Sequence, residues 1–413
     1  MQSKIRMTTV AALLLFIAVS TSARPKAGPA RDAYQPDRTD IPEDVAQLIQ
    51  QIEAPQVPYR QGWDGLTLQE VMKHFHTPGV SIALIKDFKV LWAKGYGVAD
   101  EKTRRPVQVD TLFQAASISK PVMAMAALRL VQEGRFSLDD DVNKILKSWH
   151  VPESDLTREQ SVTPRSLLSH TSGSDDGFGF PGYEPGAPLP RLAQILNGQP
   201  PSNVGPVLFK RRPYQAYKYS GGGIVIMQVL LGDLTGESFA PMMERILLRP
   251  LGLANSTYQQ PLPEALTARA AHAHNEEGKE SLVPWHVYPE QAAAGLWTTP
   301  SDLARVAIEL QRALHGPSGT VLNETTAREM IAPTGSGPFA IGFEISKHGE
   351  GWYFSHSGGN WGFQCHLLAH VGKGYGMVIM TNGSGGAGQV IDEIESRVAA
   401  AYHWDSLDKP LFR

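Results

Sequence analysis

Apolar residues gather in short runs near the two ends of the chain and in longer runs between them. Residues 80–85 (Val-Ser-Ile-Ala-Leu-Ile) and 89–95 (Lys-Val-Leu-Trp-Ala-Lys-Gly) are strand-like, and the intervening Lys86-Asp87-Phe88 predicts a hairpin. A second pair, 362–370 and 376–382, is joined by Val371-Gly372-Lys373-Gly374-Tyr375. The runs between them predict helices over 117–133, 163–169, 222–234, 239–248 and 300–314. Residues 122–131 are apolar nearly all round, as in a helix buried inside a domain, with Pro121 in its first turn and Gly134 at C′. Pro164 fits N1 of the second helix, and Thr299 with Asp302 three residues on gives the last a capping-box pattern. Residues 42–52 predict a short surface helix and 387–402 a C-terminal one. The economical arrangement is an α/β (α+β) fold: an antiparallel sheet from both chain ends (about 65–115 and 285–405), flanked by helices, with a helical region (116–284) inserted.

The first 23 residues carry a different pattern. Lys4 and Arg6 precede an apolar stretch over 10–19, and Thr21-Ser22-Ala23 offers a small-residue cleavage site, which predicts a secretory signal cut near Ala23. The apolar stretch is too short to span a bilayer, so a soluble periplasmic or secreted product is expected. Residues 24–40, rich in Pro, Arg and Asp, predict a linker before a domain over 41–405. Cys365 is the single cysteine, which excludes an intramolecular disulfide and a cysteine-based metal cluster. With 38 Lys and Arg against 41 Asp and Glu, the net charge of −3 argues against nucleic-acid binding.

Candidate chemistry lies in three stretches. In Ser117-Ile118-Ser119-Lys120, a helix beginning near Ser117 puts the hydroxyl and the amine on one face, a nucleophile beside a base. Ser406-Leu407-Asp408-Lys409 has the same spacing but lies in a polar tail with no apolar helix behind it. Tyr217-Lys218-Tyr219-Ser220-Gly221-Gly222-Gly223 precedes an apolar helix, and its glycines let Tyr219 project from a sharp turn. A phenol near cationic Lys120 is expected to have its pKa lowered towards the range useful for taking the Ser117 proton. Tyr214 and Tyr217 fit a packed tyrosine cluster, and Tyr217 is the next candidate for the proton carrier. In Phe354-Ser355-His356-Ser357-Gly358-Gly359-Asn360-Trp361-Gly362, leading into the strand with Cys365, glycines on an edge strand can present an N–H to an oxyanion. His370-Val371-Gly372 shares the His-x-Gly pattern but falls where the hairpin turns.

Together these stretches resemble the serine β-lactamase and penicillin-binding protein superfamily, in its class C, D-alanyl-D-alanine carboxypeptidase and esterase branch, over roughly residues 65–400. Ser117-Ile118-Ser119-Lys120 matches the Ser-x-x-Lys motif, Tyr219-Ser220-Gly221 falls at Tyr-x-Asn, and His356-Ser357-Gly358 at Lys-Thr-Gly. Leu167-Leu168-Ser169-His170-Thr171-Ser172-Gly173, Pro250-Leu251-Gly252-Leu253 and the segment 295–303 support the match. The resemblance implies a β-lactamase/transpeptidase-like fold and a two-step acyl transfer. Ser117 would be acylated, Lys120 and Tyr219 would move the proton, and the N–H groups of Ser117 and Gly359 would hold the oxyanion. His356, Ser357, Gly358 and Gly221 would line the substrate site. It implies no metal and no organic cofactor, and as substrate a β-lactam, a D-amino-acid peptide or an ester.

Two departures bear on substrate. Gly221 lacks the carboxamide that grips a substrate amide in the family, a loss of about 1 kcal/mol of recognition. His356 replaces a fixed positive charge with one expected to depend on pH. The first weakens the case for efficient β-lactam hydrolysis and leaves room for ester substrates, or for a protein that binds penicillin or cell wall without turnover; the second implies weaker carboxylate recognition at neutral pH. Residues 178–183 (Phe-Gly-Phe-Pro-Gly-Tyr) fit a pocket wall or a plain surface loop. A rival metal site would use His272-Ala273-His274 with Glu276 or Glu277, though no further ligand cluster stands out. A Gly-x-Ser-x-Gly elbow is absent, which removes support for an α/β-hydrolase.

Overall fold

Seven strands pair antiparallel into the central sheet: β1 (Gly79–Lys86), β2 (Lys89–Asp100), β3 (Arg105–Pro106), β4 (Glu344–His348), β5 (Gly351–Asn360), β6 (Phe363–His370) and β7 (Gly376–Thr381). Their order across the sheet is β3-β2-β1-β7-β6-β5-β4, so the two chain ends meet where Ile82 of β1 faces Ile379 of β7. This is a computed structural model, and it describes residues 41–57, 62–177, 179–316, 319–349 and 351–404. The expected signal and linker, Phe178 and the tail copy Ser406–Lys409 lie outside the described residues.

The apolar runs of β1 and β7 do not alternate with polar residues because both faces of the sheet are covered. Val80, Ile82, Leu84, Met377 and Ile379 point to one core cluster, shared with α1 (Glu43–Glu53), α2 (Leu68–His74) and the C-terminal α6 (Ala387–Tyr402). Ala83, Ile85, Val378 and Met380 point to the other, larger cluster. That cluster holds α3 (Ser119–Gln132), α4 (Gly221–Thr235) and α5 (Pro300–Leu314). Helix α3 is buried on every side, as its unbroken apolar run requires, and ends with Gly134 at φ +70°. Among the described residues no single helix is long and apolar enough to cross a membrane.

Three details differ from the pattern reading. The stretch 354–362 is not a loop before an edge strand: most of it belongs to β5, which lies between β4 and β6. Strand β4 pairs only as far as Ser355, so the half of β5 carrying His356 to Asn360 extends past its neighbour. Residues 239–248 divide into an α-helical turn (Phe239–Met243) and a wider π turn (Glu244–Leu248). At α5 the Thr299 hydroxyl accepts from the Asp302 N–H at 3.3 Å, but the return arm of the box goes elsewhere. The Asp302 carboxylate accepts instead from Asn255 N–H at 2.8 Å and the Ser256 hydroxyl at 2.9 Å.

Candidate active site

Ser117 lies in a tight 3₁₀ turn, Ala116–Ile118, that feeds directly into α3. Ala116 takes a left-handed φ of +47°, a conformation that costs a non-glycine residue about 1–3 kcal/mol and persists only where the surroundings impose it. The surroundings do so here. Ala115 N–H donates to Leu296 O at 2.8 Å, Leu296 N–H donates to Ser119 Oγ at 3.0 Å, and the Tyr258 hydroxyl donates to Ser119 O at 2.7 Å. Trp297–Thr298 pairs with Phe113–Gln114, so the segment 295–303 braces the turn from one side. Lys120 Nζ lies 2.8 Å from Ser117 Oγ and donates to Ala293 O at 2.8 Å. Burial of its ammonium lowers the Lys120 pKa to about 7, against the opposing pull of the Asp176 carboxylate.

Tyr219 sits at the start of α4, on the loop that ends at its N-cap Ser220. Its phenol shares a hydrogen bond with Ser117, and Lys120 Nζ is 5.2 Å from its ring centre. The expectation of a lowered phenol pKa fails: burial raises it to about 12, and the hydrogen bond with Ser117 offsets only part of that. At neutral pH Tyr219 therefore holds its proton and Lys120 is the group poised to accept one. Tyr217 stacks instead on Phe339 at 5.8 Å, and the Tyr214 hydroxyl lies 2.5 Å from Thr163 Oγ1.

Two neighbours of Tyr219 carried no assigned role in the sequence reading. His170, at φ +58°, lays its ring 4.3 Å from that of Tyr219 and accepts the Ser220 N–H on Nδ1 at 3.2 Å. Asp176 accepts from the Ser220 hydroxyl and from Gly222 N–H, capping α4 across more than forty residues of sequence. A cap supplied from that far away leaves no local pattern, whereas His170 belongs to the recognisable segment 167–173.

The third stretch reaches the same place along β5. Gly358 is packed so closely that a Cβ there would lie 2.4 Å from Ala115 O and 2.5 Å from Cys365 Sγ. Only glycine lets the strand come this near the turn that carries Ser117. The Cys365 thiol donates to Ala115 O at 3.1 Å, and Asn360 Nδ2 donates to Gln114 Oε1 at 2.8 Å and Ala294 O at 3.0 Å. A Cβ at Gly359 would meet nothing within 4 Å, and Ser357 is exposed. His356 is 3% exposed, and its Nδ1 is 2.6 Å from Ser357 O. A carbonyl can only accept, so Nδ1 carries the hydrogen and Nε2 presents a lone pair, which has no partner among the described residues. Burial, with the Lys120 charge adding to it, depresses the His356 pKa to about 3. The expected pH-dependent charge is therefore absent at neutral pH.

The beta-lactamase family model matches residues 66–402. The chain belongs to the beta-lactamase family. It is 28% identical over 329 residues to penicillin-binding protein 4 of Amycolatopsis lactamdurans, covering 75% of this chain and 81% of that protein. It is 24% identical over 328 residues to protein Flp of Staphylococcus aureus, covering 74% of this chain but only 60% of Flp's length. The crystal structure of a penicillin-binding protein from Bacillus halodurans superposes with a TM-score of 0.64 at 23% identity, covering 80% of this chain and 98% of that one. That likeness shows the shared β-lactamase/transpeptidase fold.

Within this member of the beta-lactamase family, the hydroxyl, amine and phenol named from the three stretches meet beside the Gly-rich end of β5. Other sequence candidates go to other places. His370 Nδ1 accepts from Gly372 N–H at 2.9 Å and Lys373 N–H at 3.0 Å and so shapes the β6–β7 turn. The rival metal pair separates: His274 Nδ1 bonds Asn382 O at 3.0 Å, while His272 faces Asp100 and Glu280. The Lys102 ammonium, 3.0 Å from Glu280, already supplies a cation at that cluster.

Proposed function

We propose that the protein is an exported serine hydrolase that cleaves an amide, β-lactam or ester bond of a small molecule or peptide through an acyl-enzyme on Ser117. The observation that carries this reading is the 2.8 Å approach of Lys120 Nζ to Ser117 Oγ with the Tyr219 phenol hydrogen-bonded to the same serine. Lys120, with a pKa of about 7, accepts the Ser117 proton as the hydroxyl attacks the carbonyl. The negative charge that develops on the carbonyl oxygen is met by the N–H groups of Ser117, in the turn that leads into α3, and Gly359. Tyr219, protonated to about pH 12, delivers a proton to the leaving group and is recharged from the Lys120 ammonium. Water then attacks the acyl-enzyme, with the same two groups moving the proton in reverse order. No step requires a metal or organic cofactor. The signal-like residues 1–23 support a periplasmic or secreted location.

Within this reading an esterase is favoured over a β-lactamase or a carboxypeptidase. Gly221 offers no carboxamide, and a neutral His356 with a bare lone pair gives a substrate carboxylate no attraction. A chromogenic short-chain ester and a labelled penicillin separate the alternatives. Turnover of the ester, lost in Ser117→Ala, lowered about 10²–10⁴-fold in Tyr219→Phe and unaffected by a chelator, is the expected result. Penicillin retained without release, and no ester turnover, would instead mark a binding protein. Ester turnover that survives in Ser117→Ala would remove the proposed nucleophile.

A further inference from the structure

Asp176 and the residues 179–183 make contacts with the N-terminus of α4 and with His286. At one end the Asp176 carboxylate accepts from Gly222 N–H. Towards the other, His286 Nδ1 donates to Pro181 O at 2.8 Å, and the His286 ring stacks on Trp361 at 4.1 Å with 3° between planes. Phe180 stands in this span, half-buried and packed on the larger core cluster. Its ring fills the space beside Gly221: a Cβ built at Gly221 would lie 2.7 Å from Phe180 Cε2 and 3.2 Å from Cζ. At Gly221, two residues along the chain from Tyr219, the place of the absent carboxamide is thus taken by the Phe180 ring.

A ring has no donor or acceptor in its face. A substrate acylamino group pressed against it gives up its hydrogen bonds to water and regains none. An alkyl or aryl chain in the same place loses nothing polar and buries apolar area. We propose that Phe180 determines substrate choice, so that the site takes esters with a plain alkyl or aryl acyl chain and disfavours those carrying an acylamino group beside the carbonyl. This rests on the reading of Ser117 as the nucleophile. On this basis Gly221→Asn alone is not expected to restore amide recognition, because a side chain there meets the Phe180 ring first.

Two p-nitrophenyl esters with a common leaving group, the butyrate and the N-acetylalaninate, test the proposal on the full chain. The wild type is expected to favour the butyrate, and Phe180→Ala to reduce that preference in kcat/KM by about tenfold, chiefly through KM. Phe180→Ala/Gly221→Asn should reduce it further, while Gly221→Asn alone lowers activity on both esters. Phe180→Gln, which leaves a smaller gap than alanine and adds a carboxamide, guards against a misfolded alanine variant and should raise kcat/KM for the N-acetylalaninate. A preference unchanged within about twofold in the Phe180 variants that fold, with Ser117 still labelled by a fluorophosphonate, would overturn the role of Phe180 alone. A wild type that hydrolyses neither ester and leaves Ser117 unlabelled would overturn the nucleophile reading, and this inference with it.

Discussion

Lys120 is buried at 2% exposure with its amine held between Ser117 Oγ and Ala293 O, and its pKa near 7 places its change of charge at neutral pH. Ester hydrolysis, followed as kcat/KM, should therefore rise from pH 5 to 9 along one limb centred near 7. No matching fall is due from Tyr219, whose phenol titrates at about 12. His356, near 3, lies outside this window, so His356→Gln should leave the limb where it is; a limb that vanishes in that variant would assign it to the imidazole. The same depressed pKa has a cost in stability. Between about 7 and 10.5 the unfolded chain carries a proton on this lysine that the folded protein does not, so folding stability rises with pH across that window and the penalty is complete below it. Lys120→Met is expected to be more stable than the wild type in urea at pH 6, with the gap narrowing at pH 9. A variant less stable at both pH values would show that the amine is no burden to the fold. Which residues meet was legible at this scale, because Ser-x-x-Lys, Tyr-x-Gly and His-x-Gly each occupy a local pattern. Their charge states were not: Phe339 and His170, which pack on Tyr219, and Phe339 on His356, come from elsewhere in the chain, as does Asp176, whose charge opposes the burial that lowers Lys120.

At the scale of elements, the buried Arg397 shows how the second face of the sheet is closed. It pairs with Glu393 one turn back on α6 at 2.7 Å and donates to the carbonyls of Ile52, Ala54, Trp63 and Leu66, joining the C-terminal helix to the end of α1 and the segment after it. Arg397→Ala would take the guanidinium away from a buried carboxylate and from these four carbonyls, which is expected to destabilise the protein by about 3–5 kcal/mol in urea unfolding. A loss below about 1 kcal/mol would mean that water replaces the guanidinium without penalty. Helix α5 and the C-terminal helix were legible to the residue because Thr299, Pro300 and the periodic apolar face mark them locally. Strand β5 was harder to read, since Ser355, Ser357, Gly358 and Gly359 look like a loop; what makes them a strand is pairing with β6 and a glycine fitted against Ala115. The π turn at Glu244–Leu248 left no signature in the apolar pattern, which is the same for either helix type.

In the whole molecule, Ser117, Lys120 and Tyr219 hang on the helical part while the Gly-rich strand belongs to a sheet made by both chain ends. The sheet built from both chain ends was legible from the order of runs along the sequence; the packing of Phe180 beside Gly221 and of His286 on Trp361 was not, since these contacts join residues far apart in the chain. The site can exist only when sheet and insertion are folded together, so ester activity and far-UV signal should be lost at one urea midpoint. Two separate midpoints would place the chemistry on one part alone. The central claim is that a single hydroxyl carries the acyl group. Intact-mass and peptide-mapping spectrometry after exposure to a fluorophosphonate tests it most directly: the account predicts one adduct, on Ser117, missing from Ser117→Ala and slow to form in Lys120→Ala. An adduct on another residue, or one that persists undiminished in Ser117→Ala, would contradict it.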